Sequence, residues 1–181
     1  MGGTKMQSRK AKEVAQLTIP VASAIVAGRY KPLGQPGKMP GFSWDIPITR
    51  CRRGHYLRCV PGTACERCYA HRGWMAAANV IRTQTARVAG LNHPLWVDAI
   101  AYLIRHNCQV PFFRWFSAGD LQSVDHLAKI VEVARRTRGI RHWLPTHEPY
   151  MVGEYLERGT ALVVTHGWAA FGEPMLVTES N

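Results

Sequence analysis

From residue 110 onward the chain alternates between two hydrophobic periods, and this alternation restricts the fold more than any other feature. Val110–Phe116 is an apolar run of strand length. Leu121, Val124, Leu127, Ala128, Val131 and Ala134 recur at helical spacing, and Gly139 ends the pattern. Ile140–Leu144 reads as a second strand and Pro149–Arg158 as a short helix stopped by Gly159. Ala161–Thr165 reads as a third strand. Parallel neighbours need a crossover long enough to hold a helix, so strand–helix–strand–helix–strand implies a parallel sheet. The expected class is α/β, with a mostly parallel, partial-barrel-like sheet of about four to six strands and flanking helices.

The preceding half supplies the rest of one domain spanning 1–181, whose α/β core runs from 44 to 168. Residues 1–13 carry Lys5, Arg9, Lys10 and Lys12 among small polar residues and read as a mobile basic arm. Leu17–Ala27 is apolar and mimics a secretory signal, but Pro20 interrupts it early. The expectation is a short helix or strand packed on the core. Residues 31–42, rich in Pro and Gly, read as irregular chain laid over the surface. Trp44–Thr49 is a candidate strand, although Pro47 argues against a central one. Ala70–Val88 reads as one helix ended by Gly90. After Pro94, residues Trp96, Ala99, Ile100, Leu103 and Ile104 share one face of another helix.

A parallel sheet collects its loops, and so its sites, at the C-terminal ends of the strands. The loops expected there are Ser117–Gln122, Thr146–Glu148 and Thr165–Trp168. They carry the candidate acid–base residues Asp120, His147, Glu148 and His166. Helix capping is the competing role for Asp120.

A second feature stands before this frame. Four of the five cysteines lie between Cys51 and Tyr69, as Cys51, Cys59 and the pair Cys65-x2-Cys68. The odd count and the dense clustering argue against a disulfide framework. Two readings of the loop 51–68 remain open: a structural zinc site and an iron–sulfur cluster held by three thiolates. Cys108 reads as a buried core thiol. His55 is a candidate non-cysteine ligand. Arg52, Arg53, Arg58, Arg67 and Arg72 surround the cysteines, to balance an anionic cluster or to attract a polyanion.

The segment Cys51-x2-Gly54-x2-Leu57-x2-Val60-x-Gly62-Thr63-x-Cys65-Glu66-x-Cys68-Tyr69-Ala70-x-Arg72-Gly73 resembles the signature of the phage gene product 88 family. So do Phe113-Arg114-Trp115, Ser117-Ala118-Gly119-Asp120-Leu121-Gln122-Ser123 and Trp143-Leu144-Pro145-Thr146. The resemblance implies a phage or prophage protein with a [4Fe–4S] cluster, distantly similar to radical-SAM enzymes. It implies Cys51, Cys65 and Cys68 as the recurring ligands, with Cys59 as an extra thiol. Phe116 and Ser117 depart from the polar pair expected at those positions.

Three thiolates on a four-iron cluster leave one iron open, whereas four close it. An open iron permits Lewis-acid chemistry: hydrolysis, dehydration or sulfur transfer. It also permits radical chemistry with S-adenosylmethionine, but the Cys-x3-Cys-x2-Cys loop that this chemistry usually employs is missing. The third alternative is a cluster- or zinc-stapled module that binds nucleic acid or carries electrons. The net charge of +11 favours nucleic acid or another anionic partner. No apolar run is long enough to cross a bilayer. An assembled cluster points to a reducing compartment, the host cytoplasm for a phage protein.

Overall fold

The computed structural model describes residues 3–158 and 175–179. Its helices are α1 (Gly3–Ala15), α2 (Ile19–Ala27), α3 (Arg53–Leu57), α4 (Ala78–Gly90), α5 (Trp96–Asn107), α6 (Val124–Arg136) and α7 (Pro149–Glu157). Its strands are β1 (Phe42–Trp44), β2 (Phe112–Trp115), β3 (Arg141–Thr146) and β4 (Met175–Glu179). The strands form one small parallel sheet in the order β1-β2-β3-β4. Sequential order with helical crossovers is the arrangement that the alternating periods require. The helices pack in a row, α4 against α2, α2 against α5, α5 against α6 and α6 against α7.

Local chemistry explains the long helices. The α6 stripe buries Val124, Leu127, Ile130, Val131 and Ala134. The Ser123 hydroxyl caps it by accepting the His126 N–H at 3.1 Å. Asp125 in the first turn and Arg135 and Arg136 in the last complement the helix dipole. Beyond it Gly139 takes φ 92°, which a side chain would resist. In α5 the expected face of Trp96, Ala99, Ile100, Leu103 and Ile104 is fully buried.

The core lies between the sheet and this row. Trp44 meets Trp96 edge to face at 5.4 Å, and Phe113 meets Trp115 at 5.0 Å. Full burial of each such ring contributes about 1.5–3 kcal/mol. A polar chain is threaded through the same layer. The Trp115 indole donates to His142 Nδ1 at 3.1 Å, and His142 Nε2 stands 2.7 Å from the Thr137 hydroxyl. Thr137 in turn donates to the Val133 carbonyl at 2.8 Å. The indole fixes the tautomer, with the proton on Nε2.

Four segments differ from expectation. The basic segment at the start is helical: α1 carries the Arg9–Glu13 pair at 3.0 Å, and Lys10 reaches Asp98 of α5 at 3.7 Å. The strand expected over 44–49 covers 42–44, because Pro47 cannot donate to a ladder and a 3₁₀ turn follows at Ile48–Arg50. The helix expected from Ala70 begins at Ala78. Two 3₁₀ turns precede it, and Gly73 between them takes φ 60°. The strand expected at Ala161–Thr165 lies outside the described residues, and the strand beside β3 is 175–179.

Leu17–Ala27 forms the core helix α2. Thr18 accepts the Val21 N–H at 3.4 Å, and Pro20 sits in the first turn, where no N–H is needed. Among the described residues no helix is long and apolar enough to cross a membrane.

Candidate functional site

The C-terminal edge of the sheet is built from three loops that follow β1, β2 and β3. Gly119 lets the second settle onto the first. Its φ is 85°, and a Cβ there would stand 2.2 Å from Ile46 Cγ1. The Ile46 N–H donates to the Ala118 carbonyl at 3.2 Å. Asp120 then joins the second loop to the third. Its Oδ1 accepts the Leu121 N–H at 2.7 Å and the Thr146 hydroxyl at 2.6 Å, and its Oδ2 accepts the His147 N–H at 2.8 Å. Burial pushes the Asp120 pKa up against these three donors, and the Glu148 charge adds to the rise. The capping role expected of Asp120 falls to Ser123, and Asp120 is a tie between loops.

The cysteine segment docks on this edge through backbone and side-chain contacts. Glu148 Oε1 accepts the Arg53 N–H at 2.9 Å. Gln122 Nε2 donates to the Arg50 carbonyl at 3.0 Å, one residue before Cys51. Arg52 Nη1 reaches the Gln122 carbonyl at 3.4 Å. Tyr69 donates its hydroxyl to the Ser117 carbonyl. Four long-range contacts thus seat one irregular segment, which has few apolar groups to do the same work.

These contacts bring Cys51, Cys65 and Cys68 together. Burial pushes the Cys51 thiol up to about 12, with the charges of Asp120, Cys68, Cys65 and Glu148 adding to the rise. Cys65 is raised by burial, Cys68 and Asp120. Gly54 passes between two of the thiols. A methyl there would lie 3.3 Å from Cys51 Cβ, 3.4 Å from Cys65 Sγ and 3.9 Å from Cys51 Sγ. Any larger side chain would press on Cys51 and Cys65. Cys59 is exposed and takes no part in this group. Cys108, at the end of α5, is half-buried against the core rather than within it, and burial pushes it up to about 11.

Among the described residues no three His, Cys, Asp or Glu side chains stand as the ligand shell of a single ion. A cubane binds each thiolate to a different iron, so its sulfurs are spread wider than ligands around one ion. Gly54 leaves room beside Cys51 and Cys65 that a side chain would take up.

The other candidates fall around this group. Glu148 is buried beside it, and His147 is half-buried, held through its backbone. His55 is exposed on α3, close enough to lower the His71 pKa after burial and Arg58 have done so. Arg52, Arg58, Arg67 and Arg72 are exposed, and Arg53 lies over the Tyr150 ring at 5.4 Å. His166 lies outside the described residues.

A buried ion pair beside the site, Asp45 with Arg87, escaped the sequence reading, while the half-buried Arg114 was legible there as part of the Phe113-Arg114-Trp115 segment. Asp45, directly after β1, accepts from the Ser117 N–H at 2.6 Å and from the hydroxyls of Ser117 and Ser43, the first at 2.5 Å and the second at 2.6 Å. Arg87 of α4 approaches it at 3.5 Å, with both side chains about 5% exposed. Arg114 stands on the sheet face opposite the helices, in register with Ser43 and Trp143. Its guanidinium lies 4.6 Å over the Trp143 ring, and its Nε has no hydrogen-bond partner among the described residues. For Asp45 and Arg87 the sequence offered no local signal, since nothing in it joins two charged residues so far apart.

Comparison with curated proteins and with solved structures finds no match. The family model described as Gene product 88 matches residues 9–165, a span that takes in the cysteine segment and the three loops at the sheet edge. The chain belongs to the Gene product 88 family.

Proposed function

We propose that Cys51, Cys65 and Cys68 hold a [4Fe–4S] cluster and that the protein is an enzyme acting at this centre. The observation that carries the reading is the convergence of three thiols with Asp120 and Glu148 at the sheet edge. When bound, such a cluster supplies Lewis acidity at an iron that no protein thiolate occupies.

The chain's own groups do the rest. Asp120 accepts from three loop donors and fixes the floor of the site. Glu148 is the acid–base group beside the thiols, with its Oε1 oriented by the Arg53 N–H. His147 flanks it, and His166 is the remaining acid–base candidate. Tyr69 shields the thiols on one side. Asp120, His147 and Glu148 lie in loops at the C-terminal edge of the parallel sheet, which supports this reading. Hydrolysis, dehydration and sulfur transfer are the reaction types this set serves. The site requires reduced thiols, in keeping with a cytoplasmic setting.

The test is made on anaerobically reconstituted protein. Small carboxylates and other oxygen donors should shift its visible spectrum, and reduced protein with S-adenosylmethionine should yield no 5′-deoxyadenosine. Glu148→Gln should retain the cluster and lose hydrolytic turnover. Steady 5′-deoxyadenosine formation above a cluster-free control would replace this reading with radical chemistry.

A further inference from the structure

Two groups of arginines in this protein differ sharply in their surroundings. Arg9, Arg87, Arg135, Arg136 and Arg158 are paired with acids. Between residues 50 and 72 stand six arginines and one acid, Glu66. None of these six forms an ion pair among the described residues. Glu66 itself is engaged on its own loop, where it accepts the Gly62 N–H at 2.9 Å. The positive charge of this face is left uncompensated.

The exposed aromatic residues lie in or beside the same segment. Among the described residues they are Tyr56, Tyr69, Trp74 and Tyr150. Tyr56 and Tyr69 lie in the cysteine segment, and Trp74 is on the 3₁₀ turn that follows it. Tyr150 opens α7 beside Glu148, the residue on which that segment docks. Tyr56, Trp74 and Tyr150 are each at least 74% exposed, so their rings contribute little to the fold. Arg53 already lies over the Tyr150 ring at 5.4 Å. Rings normally retreat into the core, as Trp44, Trp96 and Trp115 do here.

Unpaired arginines between exposed rings match one ligand chemistry closely. A single-stranded nucleic acid offers phosphates for the guanidinium groups and unstacked base faces for the rings. A duplex hides its base faces, and an acidic peptide has none. We propose that the outer face of the cysteine segment, with Tyr150, binds single-stranded nucleic acid through Tyr56, Trp74, Tyr150, Arg53 and Arg58. The surface lies outside the thiol group, so it operates whether or not the centre beneath it performs chemistry.

The test uses full-length protein and fluorescently labelled oligothymidylate, followed by anisotropy. The matching duplex serves as the control. The strand should bind more tightly than the duplex, and affinity should fall steeply with salt. Trp74→Ala and Tyr150→Ala should each weaken strand binding about tenfold and leave the salt dependence unchanged. Arg53→Gln with Arg58→Gln should flatten the salt dependence. These side chains are exposed, and an unchanged circular dichroism spectrum and melting curve confirm that each variant is folded. Equal affinity for strand and duplex, or aromatic variants that bind like the parent, would overturn the proposal and leave a merely basic surface. Absence of binding at low salt would overturn it as well.

Discussion

The backbone N–H of His147 donates to the Asp120 carboxylate at 2.8 Å, so the loop after β3 hangs from a side chain in the loop after β2. The same carboxylate accepts from Thr146 and Leu121. One buried group thereby fixes the spacing of two loops that border the thiols. Asp120→Asn turns one acceptor into a donor that faces donors. It should lower stability by about 1–3 kcal/mol, measured by urea denaturation. An unchanged midpoint would show that the two loops hold their positions without it.

Gly119 tests the packing beneath that tie. Its φ is 85°, and a Cβ would meet Ile46 Cγ1 at 2.2 Å and the Ile46 carbonyl at 2.7 Å. Gly119→Ala adds backbone strain to a steric clash, and the expected loss is about 2 kcal/mol or more. Gly139→Ala is the companion variant. It has φ 92° with open space around it, so only the strain remains and the loss should be smaller. Equal losses at the two positions would contradict the described contact.

The buried histidines predict a direction of acid sensitivity. Burial lowers His142 to about 3 from the ordinary 6.5, and burial followed by the Lys129 charge lowers His126 to about 3. Below about pH 6.5 the unfolded chain takes up protons that the folded chain refuses until about pH 3. Stability is therefore complete above this window and declines as pH falls through it. The slope is on the order of 1 kcal/mol per pH unit for each histidine. Urea midpoints at neutral and mildly acidic pH measure it. His142→Gln should cost stability at neutral pH and reduce the slope, and an undiminished slope would exclude His142 as a source.

Much of this was legible in local pattern, and the remainder depended on distant partners. The α5 and α6 faces were readable because a helical stripe records its own burial. The parallel sheet followed from strands separated by helices. Asp120 misled as a helix cap because its partners, Thr146 and His147, are distant in sequence and nothing local announces them. The helix expected from Ala70 started late because Gly73 adopts a left-handed backbone, which composition does not reveal. Asp45 and Arg87 were invisible as a pair, since each is an ordinary charged residue until the fold buries both.

The cysteines separate ligands from bystanders. Cys51→Ala, Cys65→Ala and Cys68→Ala should each abolish the visible iron–sulfur absorption and most of the folded yield. Cys59→Ala should keep both, because that thiol is exposed and away from the group. Cys108→Ala should keep the absorption and lose some stability as a half-buried side chain is trimmed. Loss of absorption in Cys59→Ala would add a fourth thiolate and favour electron transfer over chemistry at an open iron.

The most direct measurement is iron, acid-labile sulfide and zinc analysis of anaerobically purified protein, beside electron paramagnetic resonance. The account predicts iron and sulfide in equal amounts, close to one cubane per chain, with a signal on reduction that disappears in Cys51→Ala. Stoichiometric zinc without sulfide would contradict it and make the three thiols part of a structural metal site.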